Sequence, residues 1–322
     1  MGLFDKIKEP VFLKEGHNLK NQLSELERLH EIATGDLKTE IEKAIYAVKA
    51  GISGEDQIIY ELKNSHMPMY VIHDWNITFG DNKAQIDFLV VTRGKTFVIE
   101  CKNLWGNITV DNKGQFIRTV SYGKYSAKEA MYSPIEQNRK HLDLIKEISL
   151  SRRNAIGKMQ VNRWFDNWYQ GVVVMANPKM IVNDRYAPKT VKEQLIRADG
   201  LTDYIKKVNS DPNVLIQSEK DFTEFANKLL SLNIEDDTDY NAKFRRKLEI
   251  QNTISEDAET SKAGNDVGER VPVCPRCGGK LVRRIAKRGD NVGNTFYGCE
   301  KFPKCRGIMS EEQYTKQAKT AQ

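Results

Sequence analysis

The stretch TFVIECKN, residues 96–103, ends an apolar, β-prone run with a glutamate and a lysine two residues apart. The run before it, QIDFLVV, carries Asp87, and residues 92–95 between the two read as a hairpin turn. A two-residue or a four-residue loop gives the same register. In it Asp87 lies directly opposite Glu100, with Cβ atoms about 5 Å apart. Strand alternation puts Lys102 on the face of Glu100 and sends Cys101 to the other face, as a small buried apolar residue. Two carboxylates this close repel unless a proton or a cation lies between them. Such oxygens suit Mg²⁺ or Mn²⁺, ions that keep several waters and complete their shell with substrate phosphates. The matching chemistry is phosphodiester hydrolysis, with Asp87 and Glu100 holding a metal that lowers the pKa of a bound water. Lys102 then orients that water or polarises a phosphoryl oxygen. A cross-strand salt-bridge ladder on an exposed sheet face is the other use of the same three residues.

A second constellation lies near the C-terminus. Four of the five cysteines form the pattern Cys274-x2-Cys277, a 21-residue spacer and Cys299-x5-Cys305, with Gly or Pro beside each pair. That is how a zinc ribbon presents four thiolates to Zn²⁺. Disulfides are the poorer reading in a cytosolic chain, and so short a segment takes much of its folding energy from the metal. Residues 271–307 hold nine Lys/Arg against two acids, whereas residues 235–270 hold ten acids and six bases. A basic module behind an acidic segment suits a polyanionic partner, and nucleic acid is expected. Arg283, Arg284, Lys287 and Arg288 are the expected phosphate contacts, with Phe296 as a stacking surface. Tyr297 and Phe302 stack on bases or pack around the zinc. Protein docking is the alternative use of the module.

These sites need a scaffold, and 322 residues suffice for one sizeable core plus an accessory module. With 39% hydrophobic and 29% charged residues and a formal charge of +6, the composition is that of a soluble globular protein. No apolar run approaches a membrane span, and MGLFDKIKEP lacks a signal-peptide core, so no membrane partner and a cytoplasmic location are expected. Residues 1–50 read as helices with Leu19, Leu23, Leu26, Leu29 and Ile32 in one stripe, ending at Gly51. The stripe packs on its own domain or binds a protein partner or a second copy. Ser53 is expected to cap a further helix over 53–64, with Glu55 in its first turn. Short β-rich runs follow, then a helix over about 134–148 on which Gln137 and His141 share a face. The run GVVVMA, 171–176, reads as a strand covered on both faces. Residues 195–208 read as strand, turn and helix. The alternation implies an α/β core with a mixed sheet, followed by an acidic linker over 235–270.

The ordered set of GE, ID, E-x-K and the glutamine of the later helix resembles the PD-(D/E)XK nuclease superfamily. The fuller string over roughly residues 50–205 resembles its nuclease-related domain, NERD. The resemblance implies a restriction-endonuclease-like mixed sheet flanked by helices and a Mg²⁺- or Mn²⁺-dependent nuclease acting on DNA. It carries the catalytic triad onto Asp87, Glu100 and Lys102, and adds Glu55 and Gln137. The superfamily also contains members that bind without cutting, so a non-catalytic DNA-binding or scaffold protein is the second reading. Over residues 272–307 the chain resembles the four-cysteine zinc ribbon of bacterial type IA topoisomerases, which binds DNA. The expected division is 1–50 helical, 51–234 nuclease-like, 235–270 linker, 271–310 ribbon and 311–322 tail. His141 is expected as a satisfied interface histidine.

Overall fold

The computed structural model describes residues 6–263, 272–286 and 294–319. Its contacts divide the chain into two units, residues 1–248 and 249–322. The first opens with β1 (Pro10–Lys14), α1 (Asn18–Ile32) and α2 (Gly35–Lys63). The strands β2 (Met69–Phe79), β3 (Asn82–Val91), β4 (Thr96–Lys102), β5 (Asn107–Val110), β6 (Phe116–Tyr122) and β7 (Tyr125–Met131) follow. Next come α3 (Pro134–Ser151), α4 (Ala155–Trp168), β8 (Tyr169–Met175), β9 (Val182–Asn183), α5 (Lys189–Lys192) and β10 (Leu195–Arg197). The helices α6 (Leu201–Asn209) and α7 (Glu219–Leu230) follow, and α8 (Ala242–Ala263) begins in the first unit and runs past its end at residue 248.

The main sheet has six strands in the order β1-β2-β3-β4-β8-β10. β2, β3 and β4 form an antiparallel meander, while β1 joins β2, β8 joins β4 and β10 joins β8, all in parallel. This mixed sheet is buried on both faces. One face packs Ile72, Trp75, Ile86, Leu89 and Val98 against helices α3, α4 and α7. The other packs Val71, Phe88, Val90, Phe97 and Ile99 against Ile58 and Leu62 of α2 and Leu201 and Ile205 of α6. Val172 and Val174 share that second face while Val173 and Met175 face a satellite core under β5 and β6, so GVVVMA is covered on both sides. The satellite sheet runs β7-β6-β5-β9.

The N-terminal region departs from expectation in three ways. Residues 10–14 form an edge strand parallel to β2. The two helices expected on either side of Gly51 are one helix of 29 residues, so Ser53 caps nothing and Glu55 lies in the interior, away from any first-turn dipole. Glycine costs a helix roughly 1 kcal/mol relative to alanine, and here packing outweighs it. A Cβ on Gly54 would stand 2.6 Å from Asn103 Cβ and 3.0 Å from Cys101 Sγ, so glycine is what lets α2 close on β4. The expected boundary at residue 50 thus falls inside α2. Finally, Leu26, Leu29, Ile41, Ile45 and Val48 are covered by Phe244 and Leu248 of α8, whereas Ile32 is exposed. Part of the expected acidic linker is therefore helix, and its first turns complete the core of the N-terminal hairpin.

One irregularity in the main sheet sets up the site. Along β2, Ile72 faces the α3 side and His73, stacked on Phe88, the α2 side, yet Trp75 faces the α3 side again. Along β3, Leu89 and Ile86 share the α3 side although three residues apart. Both strands therefore lose one alternation at the same rung, Asp74 and Asp87, and the flanking pairs His73–Phe88 and Trp75–Ile86 keep a common register. Asp74 accommodates this with φ of 60°, the left-handed region that aspartate tolerates better than most residues. Gln85 donates to Asp74 Oδ1 at 2.6 Å and secures it.

The second unit carries a ribbon of β11 (Leu281–Ile285), β12 (Thr295–Cys299) and β13 (Ile308–Ser310), all antiparallel, followed by α9 (Glu311–Lys319). Leu281, Met309, Cys274 and Cys299 form its small core. Tyr297 stacks on Tyr314 with centroids 3.7 Å apart, so Tyr297 packs.

Candidate functional site

The hairpin register is the expected one, with Phe88 opposite Ile99, Leu89 opposite Val98 and a turn over 92–95 closed by Thr92 N–H to Lys95 O at 2.9 Å. The ladder stops at Phe88–Ile99. At the next rung the Asp87 side chain takes the place of a backbone partner, and Cys101 N–H donates to Asp87 Oδ2 at 2.7 Å. Asp87 is thus tied to the residue after Glu100 and is not cross-paired with Glu100. Cys101 packs with the α2-side core beside Gly54, and Glu100 and Lys102 face α3.

On the α3 side, Glu100 is 2% exposed and Lys102 Nζ donates to its Oε1. Lys102 Nζ also donates to Gln137 Oε1 at 3.2 Å. Ser133 caps α3 by accepting Glu136 N–H at 3.3 Å, with Pro134 in the first turn. Asn138 then pins the helix by donating to the carbonyls of Val98 and Val172 at 2.8 and 3.0 Å. This fixes Gln137 and His141 over the sheet. His141 is not the satisfied interface residue that was expected. Its Nδ1 and Glu100 Oε2 are both buried without a hydrogen-bond partner, 3.8 Å apart. A cleft of about 550 Å³ lined by Lys83, Tyr132, Gln137, Lys140 and His141 opens on this side.

On the α2 side, Gly16 N–H donates to His73 Nδ1 at 3.1 Å, which leaves the proton on Nε2 to be donated to Glu55 Oε2 at 3.0 Å. His73 is 5% exposed. Glu55 and His73 line a smaller cavity of about 150 Å³ under residues 15–20. His73 and Asn138 escaped the sequence reading. The signal for each was a polar side chain at a position whose periodicity demands burial.

The electrostatics follow from this packing. Burial, then the Glu100 charge and more weakly Glu55, raise the Asp87 carboxyl well above the ordinary range, against the Cys101 N–H bond and Lys102. Burial raises Glu100 also, with Lys102 pulling the other way. Burial and then Lys102 lower His141 to about 4, so its imidazole is neutral at pH 7. Among the described residues, the four cysteines are the group of three or more candidate ligands whose atoms all lie within 4.8 Å. Glu55, Asp87 and Glu100 are not drawn that close, because Glu55 is held by His73 and Asp87 by Cys101. A raised carboxyl beside an orphaned carboxylate oxygen nevertheless fits a cation, since a positive ion relieves both.

In the ribbon, Cys274 Sγ lies 3.8 Å from Cys305 Sγ, and Cys277 Sγ 3.5 Å from Cys299 Sγ. Tetrahedral zinc with bonds of about 2.3 Å requires sulfurs about 3.8 Å apart, so the set fits Zn²⁺. Gly278, with φ of 67°, turns the first knuckle. At the second, a Cβ on Gly307 would collide with Cys274 Sγ. Arg284, Phe296, Phe302 and Arg306 surround one pocket of about 330 Å³. The Arg284 guanidinium sits 5.8 Å from the Phe302 ring centre, and Phe302 is 58% exposed. Arg283 does not share this face. It points with Tyr297 toward α9, pairing with Glu311 at 3.5 Å. The expected contacts Lys287 and Arg288 lie outside the described residues.

A mixed sheet flanked by helices, with Asp87 on β3 and Glu100 near the end of β4, makes the first unit a mixed α/β core, and the four clustered cysteines mark the second as a zinc ribbon. Family models agree with both assignments. Residues 50–176 match the nuclease-related domain, and residues 271–314 match the topoisomerase DNA-binding C4 zinc finger. No curated protein and no solved structure matches the chain. The first unit is thus similar to a nuclease-related domain over residues 50–176, and the second to a topoisomerase-type zinc ribbon over residues 271–314. Among the described residues no helix is long and apolar enough to cross a membrane.

Proposed function

We propose that the protein is a divalent-metal-dependent nuclease that hydrolyses phosphodiester bonds of DNA, its ribbon holding nucleic acid through Arg284, Phe296, Phe302 and Arg306. The observation that carries this reading is the buried, unpartnered Glu100 Oε2 beside an Asp87 carboxyl that burial and the Glu100 charge raise. Asp87 and Glu100 would hold Mg²⁺ or Mn²⁺, with Glu55 contributing through a water. When bound, the ion lowers the pKa of the attacking water and offsets charge on the phosphoryl oxygens. Lys102, held between Glu100 and Gln137, stands where an ammonium can stabilise the developing negative charge. Gln137 positions Lys102. The open cleft flanked by Lys83 and Lys140 reaches Gln137, the partner of Lys102, and offers a polyanion basic side chains there. A cytoplasmic location accords with a nucleic-acid substrate and reduced thiols.

The test is incubation of the full-length protein with plasmid and linear DNA in Mg²⁺, Mn²⁺ or chelator. Cleavage should require the ion and be lost in Asp87→Ala and Lys102→Ala, while DNA binding persists. A wild-type protein that binds DNA and never cuts it would make the chain a nucleic-acid-binding scaffold on a nuclease-like fold.

A further inference from the structure

The proposed nuclease site uses Glu100 Oε2 but leaves unused the atom that faces it, His141 Nδ1. Both residues are at least nine-tenths buried, at 2% and 9% exposure. Neither atom has a hydrogen-bond partner, and their separation of 3.8 Å is too long for a hydrogen bond between them. Buried polar atoms are nearly always satisfied, so two orphans aimed at each other require a third body. A water is one option, but the surroundings point elsewhere. Lys102 already occupies Glu100 Oε1, which leaves Oε2 as the free acceptor, and His141 turns toward it the same ring nitrogen that is unpartnered. A divalent cation held by both atoms would satisfy the two together, and their separation is short enough for one ion to serve both.

We infer that His141 Nδ1 is a direct ligand, with Glu100 Oε2, of the divalent cation at the nuclease-related site, and that the site prefers Mn²⁺ to Mg²⁺. The inference rests on the metal role given above to Asp87 and Glu100. Two protein donors from α3 and β4 leave the rest of the sphere to waters, which ions of this class retain. Asp87, held by Cys101 N–H on the neighbouring strand, would add its charge to the site. The preference follows from the donor set. Imidazole nitrogen suits first-row transition ions, whereas Mg²⁺ takes oxygen. Position supports the same assignment. Asn138, one turn before His141, anchors α3 to both β4 and β8, so the ring is held over the strand that carries Glu100.

Pulsed electron paramagnetic resonance of Mn²⁺ bound to the zinc-loaded full-length protein tests this. Directly coordinated imidazole gives nitrogen modulation, and protein grown with ¹⁵N-histidine should shift it to the ¹⁵N frequencies without any mutation. His141→Gln should abolish the modulation, weaken Mn²⁺ binding by about tenfold or more, and change Mg²⁺ affinity less. Bound Mn²⁺ with no nitrogen coupling in the wild type overturns the inference while leaving the nuclease reading intact. Coupling that persists in His141→Gln also overturns it, since another histidine would be the ligand. Absence of any Mn²⁺ binding overturns the inference and the metal role together. Coupling to His141 in a protein that cleaves no nucleic acid upholds the inference and sinks the nuclease reading instead.

Discussion

Cys101 donates its backbone N–H to Asp87 Oδ2 at 2.7 Å, so the residue following Glu100 in the chain steadies the carboxylate that Glu100 repels. That bond holds Asp87 against the charge of Glu100, and burial leaves both carboxyls raised. A raised acid contributes stability that is complete below its unfolded pKa and is lost as pH rises through its folded pKa. Metal-free protein should therefore lose stability from about pH 4 upward. Asp87→Asn keeps an acceptor for Cys101 and removes one charge. In chelator it should be more stable than wild type at pH 7, with a shallower decline, the difference in slope reaching at most about 1.4 kcal/mol per pH unit. Urea midpoints followed by tryptophan fluorescence between pH 4 and 8 measure it. Saturating Mn²⁺ should flatten the wild-type curve, and the variant should not cleave.

Gln137 accepts from Lys102, and the two residues should not be equal in their effects. Removing the ammonium in Lys102→Ala deletes the charge itself and should lower kcat by about 10²–10³ or more. Gln137→Ala leaves the charge and loosens its placement, for a loss of about 10–100-fold. Equal losses in a plasmid-nicking time course would show that Gln137 contacts the substrate directly.

Gly54→Ala separates packing from helix propensity. Alanine would favour α2 by about 1 kcal/mol, but its Cβ would meet Asn103 Cβ at 2.6 Å, an atom that moves only with its backbone. The overlap should cost about 1–3 kcal/mol and dominate, lowering the urea midpoint. A more stable variant would mean that α2 can withdraw from β4 at little cost.

In the ribbon, Arg284 and Phe302 share a face while Arg283 is paired with Glu311. Arg284→Ala and Phe302→Ala should therefore weaken single-stranded DNA binding, the latter by about 1–3 kcal/mol if it stacks on a base, and Arg283→Ala should change it little. Removing residues 271–322 should flatten the log–log salt slope by about 2–4, for three to five phosphate contacts at about 0.7–0.9 each. Cys274→Ser with Cys277→Ser should reproduce the deletion. Cleavage should survive, provided the truncation keeps Phe244 and Leu248, which complete the core of α1 and α2.

Much of this was legible because the informative residues sit on regular local structure. The hairpin over 86–102 combines alternating apolar residues with a short turn, so its register followed from the turn alone, and Cys101 went to the face that alternation required. The cysteine spacing spoke for itself. What stayed hidden depended on contacts distant in sequence. Gly51 and Ser53 read as the end of one helix and the cap of the next, because only the approach of β4 explains a glycine, Gly54, inside one continuous helix. The strand Pro10–Lys14 is too short to signal without β2 beside it. Arg283 and Arg284 looked equivalent, since neighbouring residues diverge only once they lie on a strand. The loss of alternation at Asp74 and Asp87 was invisible because both faces of the sheet are buried, so these strands carry no regular apolar–polar alternation for it to interrupt.

That shared irregularity carries a consequence for how the chain can change length. If Asp74 and Asp87 are both removed in thought, β2 runs Tyr70, Ile72, Trp75, Ile77 and β3 runs Val91, Leu89, Ile86, Ala84 with unbroken alternation on the α3 side. The two aspartates behave as a matched insertion across one rung of an otherwise ordinary hairpin. Losing one alone would turn Trp75 or Ile86 out of its core, whereas losing both would keep every apolar residue in place and delete only the carboxylates. The double deletion should fold far better than either single one, an order that proteolysis of the three variants would reveal. Insertions and deletions in these strands are thus tolerable only in step, and the acidic group at the site is an addition to the hairpin.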